Sequence, residues 1–130
     1  MKHLLLLISL LTSFSVLAET AVIVHPSNTS NFSDDDIQSI FLGKLESFPN
    51  GKEAVPIILP EADDFIKAAL GKSKRQYKAY WAKMVFTGKG APPKKVSASE
   101  MIKLISDNPN LIGILDASQV PASVKVVKKF

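Results

Sequence analysis

The chain has 130 residues, a formal net charge of +4 and no cysteine. That length suits one compact domain with a real core, and with no cysteine an exported chain of this size must hold together by packing alone. The lysines are spread among acids and aromatics and Arg75 is the sole arginine, so an arginine-rich nucleic-acid surface is excluded.

Residues 1–18 have the pattern of an export signal. Lys2 and His3 make a short basic start, Leu4 to Leu11 is apolar apart from Ser9, and Val16-Leu17-Ala18 offers a cleavage site. The apolar run is shorter than the roughly 20 residues that span a bilayer. Cleavage after Ala18 would release residues 19–130 as a single domain to the periplasm or the exterior; a retained anchor is the alternative. No later segment of the sequence could cross a membrane.

Ala21-Val22-Ile23-Val24 is a β-branched run that predicts a first strand. The loop HPSNTSNFS follows, and Ser33 then looks like an N-cap, with Asp34, Asp35 and Asp36 favouring the helix dipole. Ile37, Ile40 and Phe41 make one apolar face, and Gly43 ends the helix. Val55-Pro56-Ile57-Ile58-Leu59 predicts a buried strand with Pro56 near its beginning. The next helix should place Glu61, Asp63 and Asp64 in its first turn, bury Phe65, Ile66, Ala69 and Leu70, and stop at Gly71. Ser73 with Gln76 is a capping-box pattern. It opens a helix whose Tyr77, Tyr80, Trp81, Met84 and Val85 share one face, read as core. Ser97 with Glu100 opens a fourth helix through Met101, Ile102, Leu104 and Ile105. Leu111 to Leu115 predicts another buried strand, and Val124 to Val127 a last one. Four strands and four helices in mixed order predict an α/β layered sheet.

Signals for catalysis are poor. His25 is the only histidine after the signal, and no His, Cys or acid cluster has metal-ligand spacing, so neither a metal nor a cofactor is expected. Asp34, Asp35 and Asp36 point in different directions on a helix, which suits dipole compensation rather than calcium. There is no G-x-S-x-G elbow and no Walker sequence, and GKGAPP lacks the spacing of a phosphate loop. The expectation is a binding module, not an enzyme.

Four fragments occur in order: SDDDIQSIFLGK (Ser33 to Lys44), FPNGKEAVPI (Phe48 to Ile57), YWAKMVFTGKGAPPKKV (Tyr80 to Val96) and NPNLIGILD (Asn108 to Asp116). In that order the chain resembles the periplasmic phosphate-binding proteins of ABC transporters, and specifically their small single-domain relatives. The resemblance implies a single lobe of a type II periplasmic binding protein, with a mixed sheet flanked by about four helices. It also implies an exported phosphate-transporter substrate-binding-like protein that takes phosphate or another small oxyanion. Full-length members close two lobes on the ligand and hold it with backbone N–H groups, Ser/Thr hydroxyls, an arginine and an acidic acceptor. Here Leu59-Pro60-Glu61-Ala62-Asp63-Asp64 replaces the polar turn of the family, and no hydroxyl, glycine or arginine lies between Val55 and Leu70. The ligand candidates are Ser27, Asn28 and Thr29, which offer hydroxyls and an amide, and Glu61, an acceptor for a protonated phosphate. The alternative for the first three is an ordinary Asx/Ser turn. The alternative for the protein is a ligand-free interaction module of the cell envelope, its open face pairing with an envelope protein or a second copy.

Overall fold

Thr20–Val24 (β1) is the strand that the β-branched run predicts, and Ala21 to Val24 are wholly buried in it. The computed structural model describes residues 19–130; the export-signal reading lies outside the described residues. β1 is followed by Asp34–Phe41 (α1), Val55–Ile58 (β2), Asp63–Leu70 (α2) and Lys74–Phe86 (α3). Lys94–Lys95 (β3), Ala98–Asp107 (α4), Leu111–Asp116 (β4), a 3-10 turn at Ala117–Gln119 and Lys125–Lys129 (β5) complete the order. The protein is α/β, with a mixed five-stranded sheet in the order β3-β2-β4-β1-β5. β4 runs parallel to β2 and antiparallel to β1, and β1 is in turn antiparallel to β5.

Caps set most helix ends. Ser33 accepts the Asp36 N–H, and the Asp36 carboxylate accepts the Ser33 N–H, so α1 begins with a full capping box. Ser73 and Gln76 make the same reciprocal pair at α3. At α4 Ser97 accepts the Glu100 N–H, which is half of the predicted box. α1 and α2 both end at glycines with positive φ, Gly43 at 72° and Gly71 at 64°, where a side chain would be strained.

α2 departs from the prediction at its start. Its N-cap is Ala62, which has no side-chain oxygen, so only Asp63 and Asp64 occupy the first turn. Glu61 lies outside the helix. α3 departs further. Trp81 is its only buried residue, while Val85 is 55% and Phe86 92% exposed. Trp81 is also absent from the main core cluster, which Tyr77 and Tyr80 touch only as half-buried neighbours. The helix stands beside α2 and the short edge strand β3, where there is little sheet to cover, so an amphipathic face finds little to bury it.

The core is made where β1 and β4 meet α1, α2 and α4. Val22, Ile23, Ile112, Ile114 and Leu115 come from the sheet, and Ile37, Phe41, Phe65, Leu70, Met101 and Ile105 from the helices. Gly113, in the middle of β4, lets α4 approach closely: a Cβ there would run into Met101 Sδ and sit 3.3 Å from Ile105 Cδ1. Gly113→Ala is therefore expected to cost about 1–3 kcal/mol through overpacking. Urea unfolding should show a lower midpoint with an unchanged slope.

Candidate ligand-binding cleft

Strand direction separates the sequence candidates. Val24 of β1 and Pro56 of β2 both oppose Ile112, near the beginning of β4, whereas Thr20 opposes Asp116 at its end. Ser27, Asn28 and Thr29 follow β1, so they lie where β2 and β4 begin. Glu61 follows β2 and lies where β2 and β4 finish. The structure brings the first three together and places Glu61 at the opposite end of the sheet.

The loop after β1 commits most of its polar groups to hydrogen bonds within the protein. Asn28 is buried, and its Oδ1 accepts the Ser30 N–H at 3.0 Å, an Asx turn. Its own N–H donates to the His25 carbonyl and its carbonyl accepts the Lys125 ammonium at 2.9 Å. The Ser27 hydroxyl is 2.7 Å from His25 Nδ1, and the buried Ser30 hydroxyl accepts the Asn50 N–H. Thr29 is exposed. Asn28→Ala strands the Ser30 N–H in a buried turn and should cost about 1–3 kcal/mol. Asn28→Asp keeps the acceptor and should retain most of the stability; paired thermal melts check both.

The other end of the sheet is open, at the carboxyl ends of parallel strands where α/β proteins commonly hold ligands. The segment Leu59–Asp63 divides it into two hollows. One, of about 450 Å³, is lined by Glu19, Glu61, Asp63, Asp64 and Asp116 against a single cation, Lys74. Asp116 accepts both the hydroxyl and the N–H of Ser118, at 2.6 and 2.9 Å, which hold its carboxyl below the ordinary range, the hydroxyl first. This hollow is anionic.

The second hollow, of about 260 Å³, lies between the α2 start, α3 and β3. Its wall is apolar, from Ile58, Leu59, Ile66 and Pro92, with Tyr77 and Trp81 standing on α3. Lys74, Lys78 and Lys95 edge it, with Asp63 the one acid. Burial raises the Tyr77 phenol above its usual pKa, and the neighbouring Trp81 indole N–H acts the other way. That N–H lies near Tyr77 yet makes no hydrogen bond of ordinary geometry among the described residues. Tyr80, by contrast, is committed to the fold: its hydroxyl donates to the Leu42 carbonyl at 2.6 Å and its ring carries the Lys72 ammonium at 5.0 Å.

The lysine-edged hollow was not among the sequence candidates. Its trace in the sequence is Lys74-x-x-Tyr77-Lys78-x-x-Trp81, charged and aromatic residues one turn apart on a single helix. Among the described residues, no group of three or more His, Asp or Glu side chains is placed to hold a metal ion. No described helix is long and apolar enough to cross a membrane.

No family model and no curated protein matches the sequence. Solved structures do match. An ABC-type phosphate transport receptor from Vibrio cholerae aligns over 85% of this chain and 46% of its own, at 18% identity and a TM-score of 0.57. A putative phosphate ABC transporter substrate-binding protein with bound phosphate, from Clostridium perfringens, aligns over 85% and 45%, at 20% identity and 0.61. PstS from Borrelia burgdorferi aligns over 85% and 47%, at 14% identity and 0.56. The chain thus spans about half the length of the structures it matches. The resemblance read from the sequence is borne out at the level of fold: this chain folds as roughly half of a phosphate-transporter substrate-binding protein.

Proposed function

We propose that this protein is an exported, non-catalytic binding protein of the phosphate-transporter substrate-binding type, taking a small oxyanion at the carboxyl ends of β2 and β4. The observation that carries the reading is the fold, shared over 85% of the chain with a protein described with bound phosphate. Charge supports a position for the ligand. An anion in the hollow of Glu19, Glu61, Asp63, Asp64 and Asp116 meets carboxylates, each costing on the order of a kcal/mol at close range before salt screens it. On the side of Lys74, Lys78 and Lys95 the balance reverses. Both hollows are open, so a lone lobe covers less of a ligand than the roughly 70–90% typical of closed pockets. Phosphate should bind weakly, with a Kd of about 1 mM, near −4 kcal/mol. Isothermal titration checks this; absence of heat at millimolar phosphate overturns anion binding and leaves the fold untouched.

The exposed Val85 and Phe86 favour a second reading, an envelope interaction module that docks a protein or a second copy through the end of α3. Under that reading Phe86→Ser abolishes association seen by light scattering or by pull-down from envelope extract. A wild-type monomer that captures nothing specific removes it.

A further inference from the structure

Between Asp64 and Glu100 the chain carries eight lysines and Arg75, and no acid. Among the described residues the one ion pair is Lys128 with Asp34, so none of these nine cations has a carboxylate partner. Most of them lie on α3 and in the segment after it. At about 100° per residue, Arg75, Ala79, Ala82 and Phe86 fall on one stripe of α3, with Lys78 and Lys83 on its two sides. The stripe is turned away from Trp81, Tyr77 and Met84. All six residues of this face are exposed, Phe86 by 92%, and Val85 on the Lys78 side by 55%. A face that is apolar toward one end and basic at its start and edges suits a helix lying in a lipid interface.

Resting on the reading of this protein as exported, we propose that the outer face of α3 docks on an anionic lipid surface. Phe86 and Val85 enter between the headgroups, and Arg75, Lys78, Lys83 and Lys89 lie against the lipid phosphates. Area and charge favour this occupant over a protein. A specific protein interface buries about 800 Å² on each side, and one aromatic side chain supplies about 150–250 Å² of it. Here only Val85 and two alanines accompany Phe86. Three of the four cations are lysines, a residue depleted in protein interfaces. A hydrated point charge on a flexible stem needs no fixed partner geometry, which suits a fluid array of phosphates. A second copy pairing through the same face would set cation against cation.

The protein recovered after export, its N-terminus verified by mass, is sedimented with two kinds of vesicle. One is phosphatidylcholine alone, the other an equimolar mix with phosphatidylglycerol. Wild type is expected to bind the mixed vesicles at least about tenfold more strongly at about 0.1 M salt. Most of that preference should vanish at about 1 M, where the Debye length is about 3 Å. A basic residue near an anionic surface contributes about fivefold. The variant Arg75→Gln/Lys83→Gln/Lys89→Gln, altered at exposed positions that line neither hollow, should therefore bind at least about twentyfold more weakly. Its melting temperature and phosphate affinity should not change. Phe86→Ser should bind the mixed vesicles about fivefold more weakly and keep the salt dependence. Equal binding to both vesicles, no binding to the mixed ones, or a triple variant that binds like wild type each overturns the proposal. Wild type that ignores vesicles yet captures an envelope protein through Phe86 puts a protein in the lipid's place and overturns it too. Export is judged separately, by the mass. Failure on vesicles leaves the oxyanion reading standing, and absence of phosphate heat leaves the lipid contact standing.

Discussion

Phe65→Ala is expected to lower the unfolding free energy by about 3–5 kcal/mol, the range for emptying a fully buried aromatic site. Phe65 is 1% exposed and lies at the meeting of three elements. Its ring packs edge-on against Phe41 of α1 at 4.9 Å and against Phe130, beyond β5, at 6.1 Å. Such aromatic pairs add about 0.5–1.5 kcal/mol to the burial itself. Domains of this size have about 5–15 kcal/mol in all, so the variant loses at least about a fifth of its stability. At roughly 4 °C per kcal/mol, the melting temperature should fall by about 12–20 °C. Phe65→Leu keeps most of the volume and should cost less than half as much. A loss under 1 kcal/mol in Phe65→Ala would mean that α2 is not anchored through this ring. The same ring borders the anionic hollow, so its loss should also loosen the start of α2 where Glu61, Asp63 and Asp64 are held.

Phe65 shows how much of the fold was open to reading. Its burial followed from helical spacing with Ile66, Ala69 and Leu70, and Gly71 marked the end of the helix because only a left-handed residue closes it there. The capping pairs at Ser33 and Ser73 located two helix starts. The start of α2 was misplaced because Ala62 caps it without a side-chain bond, which leaves nothing in the sequence to mark the boundary. β3 is two lysines after a proline pair, too short to show any alternation. The face of α3 was real, but periodicity states which residues share a side, not whether a neighbour covers it. The site was less legible for a related reason. That Ser27, Asn28 and Thr29 stand at the other end of the sheet from Glu61 depends on β1 running antiparallel to β2 and β4, and strand direction leaves no mark in β1 itself.

The triple variant Glu61→Gln/Asp63→Asn/Asp64→Asn is expected to raise the affinity for inorganic phosphate about tenfold at low salt. These three carboxylates line the anionic hollow, and Asp63 also edges the basic one, so an anion at the carboxyl end of β2 feels all of them. At separations of several ångströms in a partly solvated cleft, each is worth on the order of 0.5 kcal/mol after screening, and together they approach the 1.4 kcal/mol of a tenfold change. The gain should shrink sharply at high salt, because the Debye length falls from about 10 Å at 0.1 M to about 3 Å at 1 M. Removing Asp63 and Asp64 from the first turn of α2 also gives up about 0.3–1 kcal/mol of helix stability each, so the variant should melt lower while binding more tightly. That opposition distinguishes the electrostatic account from a general improvement of the fold. Calorimetric titration at two salt concentrations, with melts of the same samples, measures it. A fall in phosphate affinity would reverse the assignment of Glu61, making its carboxylate an acceptor for a protonated phosphate rather than a repelling charge. No change at either salt would place the anion away from this turn altogether, because charges this near the carboxyl end of β2 cannot be silent toward one bound there.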